Sequence, residues 1–548
     1  MAMKVLIIGG VAAGTKVGAK LKRELGDDCQ VTILNKGRDI SYAGCGLPYY
    51  VGDLIHKESD LLVNTPDSFA ALTGVEVKCG MEALALDRGS KQVLVRELAT
   101  GEEKQWPYDK LVLAVGADPV RPPIPGLDLE GVYFMRTPSD ATALRGAVEA
   151  GSKRCVVVGG GFIGLEIAEN LSAQGLRVTV LDMAPQVMPG FDKDFADYVE
   201  NHLADQGINL FLGDGVQSIE GEGKVERVRT GKRAFKTDLV VMSAGIRPNT
   251  AWLRDTGLEF APNGTLMVDE HMRTADPDIY AVGDCAMIRN RLTGQPAWSP
   301  MGSSANIEGR MCALEIAGKD PRPYPGALGT TVVRLPGLNA GKTGLGADAA
   351  RQAGYDAEYV TIAADDKAHY FPGADNFIIR MGADRKTGKL LGVQVLGPGA
   401  VDKIVDIAVT AISLGATLEQ LEYLDFAYAP PFSTAIHPFA TCLNVLLNKM
   451  SGAMKSLTWE QARQEEGWVY VDVAKAPSVP GLPYFPVSAI KGPLEGIDPQ
   501  AKVLLICTRG RNSYMAQNRL RRYGYENTAV LEGGTVFQPG LAEELDGE

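Results

Sequence analysis

The chain has 548 residues and a formal net charge of −12; 45% of its residues are hydrophobic and 22% are charged. At about 100–200 residues per domain, this length predicts roughly three to five domains, and the composition excludes disorder as the main state. The negative charge argues against nucleic acid or an acidic membrane surface as a partner, and no run of about 20 apolar residues indicates a membrane helix.

The eight cysteines are scattered, without metal-ligand spacing or a short-range disulfide framework. This distribution is typical of a protein from a reducing compartment. We therefore expect a cytoplasmic protein without a metal site.

The first predicted element is a dinucleotide-binding turn. A β-rich apolar run at residues 4–8 leads into Gly-Gly-Val-Ala-Ala-Gly and then into a helix-favouring stretch. Gly9 permits the tight turn, Gly14 allows the helix to pack closely on the strand, and the helix N-terminus faces the pyrophosphate. Val11 replaces the middle glycine, and Asn35 stands where a ribose-binding carboxylate is expected. An ordinary turn between a strand and a helix is therefore the alternative.

A lone cysteine, Cys45, follows in the segment Ser41–Tyr49. Gly44 and Gly46 beside it allow a ligand to approach closely, and Pro48 restricts the backbone. These neighbours favour a redox-active thiol over the alternative, which is a buried and inert cysteine.

A second glycine turn begins at Gly159, after an apolar run, and continues through Gly161 and Gly164. Asp182 follows 18 residues beyond Gly164, near the position from which a carboxylate holds the adenosine ribose. The next three residues, Met-Ala-Pro, offer no cation for a 2′-phosphate. We therefore expect NADH to be preferred over NADPH.

Three further predicted strands end in small or acidic residues. They lead to Gly116, to Gly245 and to the pair Gly283-Asp284. The two turns and these three strand ends, in this order, indicate nucleotide binding more specifically than any one of them does. We therefore assign cofactor contacts to Gly116, Gly245, Gly283 and Asp284.

On these elements the chain resembles the two-dinucleotide-binding flavoprotein disulfide reductases over about residues 3–450. The resemblance implies an α/β fold with two Rossmann-like domains, the first for FAD and the second, inserted into it, for NAD(P)H. It also implies that Gly283-Asp284 contacts the ribityl chain and pyrophosphate of the flavin. The implied domains are FAD-binding at 1–117 and 245–320, NAD(H)-binding at 118–244, an α+β dimerisation domain at 321–450, a linker at 451–458 and a C-terminal domain at 459–548.

The segment around Cys45 is similar to the single-cysteine motif of coenzyme A disulfide reductases and NADH persulfide reductases. The resemblance gives Ser41 a substrate contact, whereas Gly44 departs from a motif that usually has Asn there. NADH peroxidases and oxidases share the single cysteine but usually carry a histidine inside the first glycine turn, where this chain has Val11-Ala12-Ala13. This difference disfavours peroxide as the main substrate and leaves those enzymes as an alternative.

Coenzyme A requires cations for its phosphates. Lys20, Lys22 and Arg23 of the first predicted helix match basic positions that the resembled family uses toward coenzyme A. An ordinary solvated helix face is the alternative.

The predicted third domain contains one long apolar helix at residues 401–414. It resembles the dimerisation domain of the same family, which implies a homodimer. Tyr428 and Tyr370 match tyrosine-containing elements there and are candidate hydrogen-bond or proton donors to sulfur. His437 precedes a proline, as the acid/base histidine of glutathione-type reductases does, and a packed loop residue is the alternative.

At the C-terminus, Cys507 ends a predicted strand at a loop rich in glycine and arginine, an order that resembles a rhodanese-like α/β domain. In that fold the loop N–H groups, the helix N-terminus and the arginines, here Arg509 and Arg511, favour a thiolate and stabilise a cysteine persulfide. The match is incomplete, because residues 477–493 are short and proline-rich. A degenerate docking domain is the alternative.

Together these patterns predict an FAD enzyme that uses NADH to reduce sulfur. Cys45 is expected to attack a disulfide, persulfide or polysulfide, with coenzyme A as the leading carrier, and Cys507 to hold sulfane sulfur. The expected partners are small sulfur compounds. A redox-sensing sulfur-relay module and an NADH oxidase or peroxidase remain the alternative functions.

Overall fold

The computed structural model of the protein describes residues 2–319 and 322–546. The chain divides into two compact units. The first comprises Met1–Pro189 and Leu203–Ala327, and the second comprises Gly190–His202 and Leu328–Glu548.

The first unit contains two five-stranded parallel sheets. In sheet order, the strands of one are Ile279–Ala281, Lys110–Leu113, Met3–Ile8, Cys29–Asn35 and Glu76–Cys79. Those of the other are Asn209–Phe211, Arg177–Leu181, Arg154–Val158, Leu239–Met242 and Val132–Phe134. In both sheets a glycine turn follows the central strand, which puts the two turns at the carboxyl ends of the strands.

The central strand of the first sheet is apolar on both faces. Val5 and Ile7 belong to one hydrophobic cluster, whereas Leu6 and Ile8 belong to another. Successive side chains of a strand point to opposite faces, so this alternation shows that both faces of the sheet are covered. The helices of this unit are Ala13–Leu25, Leu47–Val51, Pro66–Thr73, Pro138–Glu149, Phe162–Ala173 and Gly302–Ile316. A further helix, Lys193–Asp205, belongs mostly to the second unit.

Smaller sheets connect these layers. Three antiparallel strands form each of two of them, Met81–Asp87, Gln92–Glu97 and Glu103–Pro107 in one, and Val216–Glu220, Arg227–Thr230 and Ala234–Lys236 in the other. Ala117–Pro119 pairs with Ile246–Pro248, so the segments that lead into and out of the second parallel sheet lie side by side. A last sheet contains Leu266–Met267, Ala286–Arg289 and Pro296–Ala297.

The second unit begins with an antiparallel sheet of five strands, which in sheet order are Thr331–Leu335, Leu338–Gly344, Leu390–Gly397, Asn376–Asp384 and Ala357–Asp365. Its helices are Ala347–Gln352, Val401–Leu414, Leu418–Leu421 and Pro438–Met450. The helix expected at residues 401–414 is confirmed, and it ends at Gly415, whose φ of +65° stops the helix without strain.

A four-stranded parallel sheet closes the chain. In sheet order its strands are Ser456–Leu457, Thr528–Leu531, Lys502–Ile506 and Trp468–Asp472. Its helices are Trp459–Gln464, Arg511–Leu520, Gly534–Phe537 and Leu541–Asp546. The expected linker at 451–458 is too long, because Ser456–Leu457 pairs with Thr528–Leu531 and Thr458 caps the next helix.

Single helical turns complete the fold, at Gly26–Asp28, Gly44–Gly46, Glu58–Leu61, Ala251–Thr256, Gly283–Cys285, Val487–Ala489 and Arg521–Tyr523. Within residues 2–319 and 322–546, no helix has both the length and the apolar character that a membrane span requires.

Candidate active site: a lone thiol between two glycine turns

The two glycine turns share one backbone geometry. Gly9 and Gly159 have φ values of +105° and +118°, and a Cβ atom on them would lie 2.1 Å from the Ala114 carbonyl oxygen and 2.2 Å from that of Ser243. A Cβ on Gly164 would lie 2.0 Å from the Gly159 oxygen. Only glycine fits at these positions, and each helix therefore starts directly against its strand.

In the first turn, Gly14 has the same role as Gly164, since a Cβ there would lie 1.9 Å from the Gly9 oxygen. Asn35 differs from its expected role. Its Oδ1 accepts the Gly10 N–H at 3.0 Å, and its Nδ2 donates to the carbonyls of Gly37 and Asp39. Asn35 is buried and builds the turn itself, and its contact with a ribose stays a prediction.

In the second turn, Asp182 takes the place of Asn35. Its two carboxylate oxygens accept the N–H groups of Gly160, at 2.6 Å, and Ala184, at 2.8 Å. Because a carboxylate has about four acceptor positions, capacity remains for ribose hydroxyls. Gly161, which caps the next helix, has no described atom within 4 Å of an added Cβ.

Both turns fit dinucleotides by their own chemistry. The N-termini of Ala13–Leu25 and Phe162–Ala173 lack a side-chain cap. The Ser243 hydroxyl beside the second turn is buried without a partner among the described residues. Free N–H groups at a helix N-terminus bind phosphate, so these features suit FAD at the first turn and NADH at the second.

Two of the remaining predicted cofactor residues, Gly116 and Asp284, lie near Arg136. Gly116 has a φ of +67°, and a Cβ on it would lie 2.8 Å from Nη2 of Arg136. Asp284 lies 3.5 Å from the same guanidinium, while burial raises its pKa. Gly283 donates its N–H to the buried Glu308 carboxylate at 2.6 Å, and burial raises the pKa of Glu308 to about 7. Gly245 also has a left-handed φ, +95°.

Cys45 lies in the single helical turn Gly44–Gly46, where it is exposed. Its environment opposes ionisation. Although the residue is exposed, partial desolvation of its sulfur raises the pKa of the thiol, the carboxylates of Glu166 and Asp284 raise it further, and Arg136 alone lowers it. The charges that the chain itself supplies here therefore favour the neutral thiol of Cys45 over the thiolate.

Ser41 holds the start of the same segment in an unusual conformation. Its φ is +49°, its N–H donates to the Gly10 carbonyl at 2.9 Å, and its hydroxyl accepts from Asn64 at 3.3 Å. A non-glycine residue rarely adopts this conformation. Ser41 thus ties the cysteine segment to the first glycine turn, and its contact with substrate stays a prediction.

Sequence reasoning missed the pair Tyr49 and Glu166. The Tyr49 hydroxyl donates to Oε1 of Glu166 at 3.1 Å, and burial raises the pKa of Glu166 to about 7. A carboxyl group poised near neutral pH beside a thiol suits proton transfer. The only sequence signal was the position of Glu166 two residues after Gly164.

The predicted basic positions for coenzyme A have partners nearby. Lys20 forms an ion pair with Glu24, and Lys22 donates to the carbonyls of Gly26 and Cys29. Arg23 is exposed. The role of these three residues toward coenzyme A stays a prediction. For Lys20, binding a phosphate would require the ion pair with Glu24 to open.

In the second unit, Tyr428 and Tyr370 lie side by side. They are 50% and 66% exposed, and their hydrogen bond raises the pKa of Tyr428. His437 is instead 4% exposed and stacks on Phe426 at 4.6 Å. Its Nδ1 accepts the Phe439 N–H at 3.2 Å, and burial lowers its pKa to about 4. His437 is a packed helix cap, so the acid/base role is not supported.

The C-terminal loop Cys507–Ser513, here called the sulfur loop, encloses its cysteine. Cys507 is 3% exposed, and Gly510 donates its N–H to Sγ at 3.2 Å. The hydroxyl of Ser513 is buried without a partner among the described residues. Arg511 is exposed, and Arg509 pairs with Asp365 at 2.7 Å. The expected cradle of two arginines is therefore incomplete, because Arg509 has another partner.

Two family models match the chain. The model described as pyridine nucleotide-disulphide oxidoreductase matches residues 3–304, and the one described as its dimerisation domain matches residues 333–440. The NAD(P)H coenzyme A polysulfide/persulfide reductase of Pyrococcus horikoshii is 36% identical over 81% of this chain and 99% of its own length. An NADH oxidase of Methanocaldococcus jannaschii is 33% identical over 82% of this chain and 100% of its own length.

Two solved structures extend the likeness to the C-terminal sheet. Reduced Bacillus anthracis CoADR-RHD has a TM-score of 0.94 and 30% identity, and the match covers 99% of each chain. An NAD-dependent persulfide reductase from A. fulgidus has a TM-score of 0.92 and 33% identity, and the match covers 98% of this chain and 100% of that one.

The space at Gly161 gives a first test. We expect Gly161→Ala to raise the KM for NADH by roughly tenfold with little change in thermal stability, because the methyl group clashes with the cofactor and not with the chain. The matched control Gly164→Ala should lower stability by about 1–3 kcal/mol, because its methyl group meets the Gly159 carbonyl. Steady-state kinetics and thermal unfolding measure both, and an unchanged KM in Gly161→Ala would contradict the NADH site.

The charge of Glu166 gives a second test. We expect Glu166→Gln to shift the pH dependence of Cys45 alkylation toward lower pH and to make alkylation several-fold faster at neutral pH, because a negative neighbour that raises the pKa of the thiol is gone. Alkylation by iodoacetamide, read by peptide mass spectrometry, measures it. Glu222→Gln, on an exposed turn, is the control. Slower alkylation in Glu166→Gln would show that its charge does not oppose the thiolate.

Proposed function

Since the chain belongs to the pyridine nucleotide-disulphide oxidoreductase family, we propose that it is an FAD-dependent enzyme that uses NADH to reduce coenzyme A disulfide, persulfide or polysulfide sulfur. One observation carries the proposal. A lone thiol, Cys45, lies in a glycine-flanked turn beside Glu166 and Asp284, which belong to the two nucleotide-binding parts of one compact unit.

The chemistry that bound FAD would supply is two-electron transfer from NADH to sulfur at Cys45. Gly9 and Gly14 hold FAD at the first turn, and Gly283-Asp284 lies at the strand end beside Arg136. Gly161 and Asp182 hold NADH at the second turn. NADH is favoured over NADPH because Met183, Ala184 and Pro185 offer no cation to a 2′-phosphate.

Cys45 is the attacking group. With a persulfide R–S–SH, its thiolate attacks the sulfur bonded to R, forms a mixed disulfide Cys45–S–S–R and releases HS⁻. Two electrons then cleave the new S–S bond and return the Cys45 thiolate and RS⁻, which takes up a proton. With a disulfide R–S–S–R, the same attack releases RS⁻ in place of HS⁻. Counted to HS⁻ and RSH, a persulfide R–S–SH consumes one NADH and no net proton, whereas a disulfide consumes one NADH and one proton when both products end as thiols.

Glu166 supplies proton exchange at this thiol. Because its pKa is about 7, it can take the Cys45 proton and thereby lose the charge that opposes the thiolate. The Tyr49 hydroxyl holds the carboxylate in place. The site thus keeps one negative charge while that charge moves from oxygen to sulfur.

Coenzyme A is the proposed carrier. The support is the described activity of the Pyrococcus horikoshii relative and the basic side chains of Lys20, Lys22 and Arg23 on the first helix. The C-terminal sheet is proposed to be a rhodanese-like domain in which Cys507 holds sulfane sulfur. The Gly510 N–H on its sulfur and the unpartnered Ser513 hydroxyl suit a bound terminal sulfur.

We also propose a homodimer. The match to a dimerisation domain supports it, and so does a set of exposed apolar side chains in the second unit. The most exposed of them are Leu414, Tyr423, Phe432, Ile436 and Tyr370. In this arrangement Tyr370 and Tyr428 are available as donors to sulfur at an active site of the dimer.

An NADH oxidase is the second candidate, because a relative described as such is 33% identical over nearly its whole length. The first glycine turn lacks the histidine expected of oxidases and peroxidases. Turnover with oxygen or peroxide that exceeds turnover with sulfur acceptors would favour this alternative.

The two cysteines separate the proposed steps. We expect Cys45→Ser to abolish anaerobic NADH oxidation with coenzyme A disulfide, coenzyme A persulfide and polysulfide alike, because the attacking thiol is gone. Cys507→Ser should reduce turnover only with acceptors that carry sulfane sulfur. Cys79→Ser, at a half-buried thiol, is the control and should leave all rates unchanged. Full activity of Cys45→Ser would refute the proposed role of this thiol.

A further inference from the structure

The outermost strand of the antiparallel sheet, Ala357–Asp365, has one strand neighbour among the described residues, Asn376–Asp384. An open strand edge attracts unwanted pairing, so proteins cover it. Here Glu532 and Gly533, which follow the C-terminal strand Thr528–Leu531, bond to it at Thr361. Thr361 donates its N–H to Oε2 of Glu532 at 2.8 Å, and its carbonyl accepts the Gly533 N–H at 3.1 Å.

Glu532 is the fixed point of this junction. It is 4% exposed, and its Oε1 accepts from Nζ of Lys449 at 2.6 Å and from the Ser456 hydroxyl at 2.7 Å. Lys449 also pairs with Glu358, at the start of the edge strand, at 2.9 Å. A buried charge with this many partners holds one geometry, because every alternative leaves a charge unpaired.

The segment after Glu532 leads directly to the sulfur loop. Thr535 donates its N–H to the Cys507 carbonyl at 3.1 Å, and Val536 donates to the Thr508 carbonyl at 3.0 Å. Gly534 has a φ of +61°, and a Cβ on it would lie 2.2 Å from the Cys507 oxygen. The backbone carbonyls of Cys507 and Thr508 are therefore held by the residues that follow Glu532.

The edge strand also contacts the sulfur loop directly, at Arg509. Its last residue, Asp365, pairs with Arg509, which precedes the Gly510 that donates its N–H to the Cys507 sulfur. Thr361 and Asp365 are four residues apart on the strand. Thr361 bonds to Glu532 and Gly533, which lead to the residues that hold Cys507 and Thr508, and Asp365 holds Arg509.

We propose that Asp365 and Glu532 are positioning residues for Cys507, and that the edge strand Ala357–Asp365 sets the reactive conformation of the sulfur loop. The inference rests on the proposed role of Cys507 as a sulfur carrier. An N–H held on sulfur at a helix N-terminus stabilises the anion over the neutral thiol. That stabilisation requires a loop in one conformation, and the two anchors supply it.

The test is the reactivity of Cys507 in full-length, FAD-loaded enzyme. We expect Asp365→Asn to slow its alkylation by iodoacetamide several-fold at neutral pH and to shift the pH of half-maximal rate upward, because the Gly510 N–H is no longer held on the sulfur. Asp365→Glu should restore most of the rate. Asp348→Asn, which removes the same charge from an exposed ion pair in the same unit, is the control.

A double-variant cycle identifies the route. Asp365→Asn combined with Arg509→Gln should be no slower than Arg509→Gln alone, because Asp365 acts through that arginine. Glu532→Gln should slow alkylation as well. An unchanged rate in Asp365→Asn would mean that this carboxylate does not position the thiol, and a faster rate would mean that it holds the loop in a less reactive conformation. Either result overturns the proposal, whatever Glu532→Gln does. This readout needs no sulfur substrate, so failure of the proposed sulfur-carrier function would appear separately, as unaltered persulfide turnover in Cys507→Ser.

Discussion

The close approach of backbone to backbone at the two glycine turns determines the rest of the first unit. A Cβ atom on Gly9 or Gly159 would lie 2.1 or 2.2 Å from a carbonyl oxygen, so neither position has room for a side chain. Each helix starts against the sheet for that reason. This contact directs both sets of free N–H groups to the carboxyl ends of the parallel strands. Binding of one nucleotide at each glycine turn, with the Cys45 thiol between the two nucleotides, requires both turns at once.

The thiol itself is placed in surroundings that oppose its charge. Burial and two carboxylates raise the pKa of Cys45, with Arg136 as the one opposing charge. A lone cysteine cannot exchange two electrons by forming an internal disulfide, so neighbours and ligands must control the charge of its thiol. Glu166, with a pKa of about 7, is suited to that exchange and connects the nicotinamide-binding part of the fold to the sulfur chemistry.

Short sequence patterns predicted the structural features that depend on residues close together in the chain. The glycine turns, the carboxylate of Asp182 and the long helix at 401–414 each follow from a few neighbouring residues, and the structure contains them. Partners distant in sequence were beyond the same reasoning. Arg509 pairs with Asp365, 144 positions away. His437 is buried and stacks on Phe426. A residue type in a motif indicates its chemistry, but its partner is fixed by tertiary packing.

Reduction of sulfur through a lone thiol requires Cys45 to form a covalent intermediate with the sulfur carrier. The most direct measurement is the mass of the Cys45 peptide after the full-length enzyme is treated anaerobically with coenzyme A disulfide, before and after NADH. We predict one coenzyme A per chain on Cys45 and its complete loss when NADH is added. A Cys45 peptide without coenzyme A, or an adduct that NADH does not remove, would contradict the account.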